Sequence, residues 1–138
     1  MIKLSTAPVE LAGAPPLVPG EPAIDLPTID LPAIDLAHLA RMTIGDRSLE
    51  GEVLELFDRQ SELLLARMRR ASQREVAAFA HTLTGSARGI GAWQVAHAAE
   101  AVERAARSGE QSDLTGTVAG LAAAVGEARA TIIELLRR

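Results

Sequence analysis

All seven prolines of the chain lie at or before Pro32, and residues 33–138 contain none. Proline removes a helical hydrogen bond and collides with the preceding turn, so long helices are confined to the part of the chain that lacks it. The boundary predicts two regions: a Pro-rich, flexible N-terminal segment over 1–34 and a helical domain over 35–138. In the first, AIDLP, TIDLP and AIDLA (23–37) form a five-residue repeat. It is too short and too broken by proline for a solenoid unit, and is read as an extended linker. A short linear motif that docks a partner is the second reading. Asp35 ends the repeat differently: no proline follows Leu36, and Asp35 is placed to cap a short helix through Met42, stopped at Gly45.

Four longer amphipathic segments follow. From Asp46, apolar residues recur at Leu49, Val53, Leu56, Phe57, Leu63 and Leu64, predicting a helix to about Ala71 with these residues inward. Ser72 is placed to cap the next, whose stripe is Val76, Phe79, Ala80, Leu83, Ala87 and Ile90, ended by Gly89 and Gly91. A third carries Ala92, Val95, Ala99, Val102 and Ala106 and stops near Gly109. The last repeats Leu114, Val118, Leu121, Val125, Ala128, Ile132 and Leu135 at spacings of three and four, the seam of a bundle. No segment alternates convincingly with period two. The expected fold is therefore all-α: an antiparallel four-helix bundle with a short additional N-terminal helix across one end.

Composition narrows the function. With 14 basic and 18 acidic residues the formal charge is −4, so no basic face for nucleic acid or an anionic membrane is implied. The absence of cysteine excludes disulfide and thiolate chemistry. His38, His81 and His97 lack the spacing of a metal site, and no metal or cofactor of its own is expected. No apolar run approaches a membrane span, and the Pro-interrupted start lacks the continuous core of a signal peptide. The expected setting is cytoplasmic. Leu135 and Leu136 fit either a core or a dimer seam, and a monomer is expected over a dimer because the bundle needs no exposed seam.

Residues 84–91, TGSARGIG, look like the glycine-rich dinucleotide loop of short-chain dehydrogenases. That chemistry needs a strand before Thr84 and a catalytic tyrosine, whereas the preceding residues have a helical period and the chain contains no tyrosine. Dehydrogenase activity is excluded. On a helix with its apolar stripe centred between Leu83 and Ala87, Gly85 points straight outward and His81 lies about 40° from that direction. His81 is predicted to be exposed, with Ala77, Ala78, Thr84 and Gly85 one turn away and Arg74 and Arg88 two turns away on either side. A glycine inside a helix costs about 1 kcal/mol relative to alanine, and close approach of another molecule would account for Gly85. An imidazole offers a neutral nucleophilic nitrogen at physiological pH. No acid or hydroxyl partner is evident beside His81, and no triad spacing supports hydrolysis. Accepting a phosphoryl group from a partner that brings the donor requires little more than access.

The run from His81 to Glu103 resembles the signature of the histidine-containing phosphotransfer (HPt) domain family, HxLKGS, then GAxxL, then a small residue and LE on the next helix. His81, Leu83, Gly85, Ser86, Gly91, Ala92 and Glu103 match; Val95 and Val102 stand for leucine and Ala99 for the small residue. The resemblance extends over about residues 35–137. It implies a phosphorelay intermediate in a two-component system, with His81 accepting and donating a phosphoryl group between receiver-domain aspartates. Its expected partners are response-regulator receiver domains, with a hybrid sensor kinase as a further candidate, and the receiver would contribute Mg²⁺. Such a protein is a phosphoryl carrier and not a stand-alone enzyme; nothing in the chain resembles an ATP site, so no kinase activity is expected. The alternative is a non-catalytic, HPt-like docking module.

One departure bears on the choice: the family's lysine three residues after the histidine is Thr84 here. Loss of that charge at an exposed site weakens stabilisation of the phosphoryl group by on the order of 1 kcal/mol. Thr84 retains a hydroxyl donor, and Arg88, about 10 Å further along the axis, is the expected replacement for the charge. Trp93 is read as a packing anchor for the helix junction, His38 and His97 as structural or neutral, and Arg67, Arg69 and Arg70 as solvated charges favoured by a helix C-terminus.

Overall fold

The computed structural model describes residues 31–138. The five-residue repeat and the linker or docking roles read from it fall, up to residue 30, outside the described residues. Five helices follow in order: α1 (Leu36–Met42), α2 (Arg47–Met68), α3 (Gln73–Ile90), α4 (Trp93–Ser108) and α5 (Gln111–Leu136). There is no strand among the described residues. The helices α2 to α5 form the bundle, in which α3 packs between α2 and α4, α5 closes against α4 and α2, and α1 lies on α3.

The helix limits follow from local chemistry. The Asp35 carboxylate accepts from the His38 amide at the start of α1, and Asp46 Oδ1 accepts from the Leu49 amide at 3.0 Å. Ser72 and Glu75 form a reciprocal capping box, each side chain taking the other's backbone N–H, which satisfies two otherwise orphaned donors. Gly91 (φ +83°) and Gly109 (φ +80°) end α3 and α4 in the left-handed conformation that costs glycine nothing.

The stripes expected on α3, α4 and α5 form the core, with Leu83, Val95, Val102, Leu121 and Ile132 fully buried. Two expectations need correction. On α2 the buried face is Leu54, Phe57, Leu64, Leu65 and Met68 around Ser61, whereas Leu49, Leu56 and Leu63 are 39%, 57% and 50% exposed. These three leucines lie about 130° around the helix from the true core face. The domain also begins before Asp35. Ile34 is buried in the core, the Asp35 amide donates to the Gly91 carbonyl at 2.9 Å, and the Gln94 side chain donates to the Leu31 carbonyl.

Candidate functional site

Helix α3 carries the candidate histidine in its middle and a closely packed junction at its end. At the junction, Gly91 turns the chain and α4 starts at Trp93. The buried Trp93 indole N–H donates to Asp35 Oδ2 at 2.9 Å, and the His38 ring packs edge-on against the indole with centroids 5.0 Å apart. Burial works to raise the Asp35 carboxyl's pKa, but the Trp93 indole, the His38 amide and the nearby positive charges hold it below the ordinary value. Trp93 is thus the anchor that sequence suggested, and the junction fixes the pitch of α3 against α4.

That pairing sets the surroundings of His81. Its side chain is 76% exposed, and Nδ1 lies 3.4 Å from Glu103 Oε1 on α4. The carboxylate that no local reading of residues 74–88 supplied therefore comes from the facing helix. Arg107, one turn beyond Glu103, donates to Glu103 Oε2 at 2.7 Å. The i, i+4 pairing of Glu103 and Arg107 was readable in the sequence; the contact with His81 depends on how α3 and α4 align. With Nδ1 turned to a carboxylate, the tautomer protonated at Nδ1 is favoured and the Nε2 lone pair is left for an incoming electrophile.

The other expected site residues divide. Gly85 is exposed, and a Cβ built on it meets nothing within 4 Å, so no contact within the described residues requires glycine there. Ala77, Ala78 and Arg74, with Gln73, Ala106 and Arg107, line an open groove of about 540 Å³ between α3 and α4. Ala77 is buried and Ala78 exposed. Thr84 departs from expectation: it is 8% exposed, and its hydroxyl donates to the Ala80 carbonyl at 2.9 Å. Back-bonding into its own helix satisfies the hydroxyl and turns it from the histidine face. Arg88 departs too, because its guanidinium is bound to Glu100 on α4. Its carboxylate partner does not touch His81, whereas Arg107 is tied to Glu103, the carboxylate that does.

His97 sits 3.8 Å from Glu100 at the rim of α4. Among the described residues no group of three or more histidine, cysteine or acidic side chains is placed to hold a metal ion. No helix among them is long and apolar enough to cross a membrane.

Comparison with known proteins agrees with this architecture. A sequence model of one family, the Hpt domain, matches residues 49–131. The fold is similar to the X-ray structure of a candidate histidine-containing phosphotransfer protein from rice, with TM-score 0.69 and 15% identity, over 76% of this chain and 80% of that one. No curated protein matches the chain.

Proposed function

The chain belongs to the Hpt domain family, and on that premise we propose that His81 carries a phosphoryl group between the aspartates of response-regulator receiver domains. Membership supports a phosphotransfer role in two-component signalling, and Hpt domains in general interact with receiver domains. The observation that carries the assignment to His81 is its exposed ring held at Nδ1 by Glu103, beside a glycine with open space over it.

In this reading the Nε2 lone pair attacks the phosphorus of a receiver's aspartyl phosphate. The N–P bond forms as the P–O bond to the receiver carboxylate breaks, and the carboxylate leaves with the bonding pair. The Nδ1 proton stays in place, so the ring gains positive charge, which the Glu103 carboxylate offsets. The reverse step delivers the phosphoryl group to a second receiver. Gly85 leaves room for the approaching loops, and the Mg²⁺ that neutralises the phosphoryl oxygens belongs to the receiver. Arg107 and Arg74, at the rim of the adjoining groove, are the cations proposed in place of the missing lysine. Arg107→Ala is therefore expected to slow transfer more than Arg88→Ala.

The test is transfer of label from phosphorylated receiver domains to the wild type and to His81→Gln. Acid-labile, base-stable label on the wild type alone supports the carrier. Absence of label on both proteins with receiver binding retained supports a docking module instead, a reading that the inward-turned Thr84 hydroxyl favours.

A further inference from the structure

The leucines that the structure turns outward lie on α2 at sevenfold spacing: Leu49, Leu56 and Leu63. Seven residues make nearly two helical turns, so the three form one apolar stripe along the helix. We propose that two copies of the chain associate through this stripe as an antiparallel, two-fold symmetric dimer with Leu56 on the symmetry axis.

Charge fixes the occupant and the direction. With Leu56 facing its own copy, Leu49 of one chain meets Leu63 of the other, twice. At about 100° per residue, Glu52 and Arg59 fall on one flank of the stripe, about 40° and 60° from Leu56. An antiparallel two-fold pairing brings like flanks together, and Arg59 then lies within one residue step, about 1.5 Å along the axis, of Glu52 of the second copy. On the other flank the same operation brings Arg67 within one residue step of Asp46 and two of Arg47 of the second copy, so attraction and repulsion offset there. Two Arg59–Glu52 pairs flanking the apolar strip therefore set the direction of the dimer. None of Asp46, Glu52, Arg59 and Arg67 forms an ion pair within the chain among the described residues. A parallel, in-register pairing loses this match, because it sets Arg67, about 20° from the seam, against its own copy. The expectation of a monomer rests on the bundle needing no exposed seam, whereas Leu49, Leu56 and Leu63 form one on α2. The inference does not depend on the role of His81.

The chain has no cysteine, so the geometry is readable by disulfide trapping on the full-length protein. On mild oxidation Leu56→Cys is expected to cross-link to itself. Leu49→Cys and Leu63→Cys are expected to link to each other when mixed, and neither alone. In sedimentation equilibrium, Arg59→Glu is expected to raise the dimer dissociation constant roughly tenfold, and Glu52→Arg with Arg59→Glu to restore it. Leu56→Arg is expected to be monomeric with unchanged helix content. A wild type that stays monomeric at every concentration overturns the proposal, even if it binds a receiver through this face. So does self-linking of Leu49→Cys as fast as that of Leu56→Cys.

Discussion

Gly91 at the C-cap of α3 and Gly85 in its interior, six residues before, serve opposite purposes. At Gly91 a Cβ would lie 2.9 Å from the Asp35 carbonyl oxygen and 3.3 Å from His38 Cδ2, and φ is +83°. At Gly85 the backbone is helical and nothing among the described residues lies within 4 Å of the same atom outside the helix's own backbone. The first glycine is demanded by the fold, since a neighbouring segment occupies the space a side chain would take. The second weakens its helix with no return from the described fold, so its reason is sought in a partner that comes close. A glycine inside a signature motif thus has a structural or a functional meaning according to what surrounds it.

The largest expected effect is at the occupied end. Gly91→Ala combines the left-handed backbone, about 1–2 kcal/mol for a residue with a Cβ, with overlap against Asp35, about 1–3 kcal/mol. A loss of about 3–4 kcal/mol in urea unfolding is expected. A loss below about 1 kcal/mol would mean that the segment before α1 yields easily, and would remove the contrast with Gly85.

Asp35→Ala comes next, at about 2 kcal/mol, from a lost helix cap and a buried indole donor left without its acceptor. This effect depends on pH. The folded carboxyl has a pKa below its unfolded value, so its contribution is complete above the unfolded pKa and is lost as pH falls through the folded one. Wild type and Asp35→Ala should therefore converge in stability toward strongly acidic pH, and a constant gap would show that the charge on Asp35 contributes nothing.

At the open end the sign reverses. Gly85→Ala should stabilise the fold by about 0.5–1 kcal/mol through helix propensity, while slowing phosphoryl transfer because the methyl intrudes on the approach to His81. Stabilisation with transfer unchanged would leave Gly85 without a functional reason.

The helix limits were legible in the sequence because their causes are local. The caps and turns at Asp35, Asp46, Ser72, Gly91 and Gly109 are made within three or four residues, and each marks a helix limit as expected. The strict spacing on α5 left one choice of buried face. On α2 the leucines are spread widely enough to offer two faces, and the choice was made by the neighbours α3 and α5, to which Arg129 ties it through Asp58 at 2.6 Å. The contact of His81 with Glu103 spans 22 positions and depends on the register of two helices, which no periodicity encodes. Thr84 was misplaced because angle alone put it near the histidine face, while its hydroxyl prefers the carbonyl one turn back.

The smallest expected effect probes the one imperfection at the filled end. His38 is buried, and its Nε2 has no hydrogen-bond partner among the described residues. An unpaired buried polar atom forfeits its hydration, at about 1–3 kcal/mol, yet the ring also packs edge-on against Trp93. His38→Phe keeps an aromatic edge on the indole and removes the orphan nitrogen, at the cost of a slightly larger ring near Gly91. The two terms nearly offset, and a net gain of up to about 1 kcal/mol is expected. A gain would establish that the junction tolerates the imidazole without using it, and that its rigidity comes from Asp35, Gly91 and Trp93. A loss of more than about 1 kcal/mol would mean that Nε2 has a partner in solution, making His38 a further polar tie between α1 and α4 and the filled end more complete than its contacts indicate.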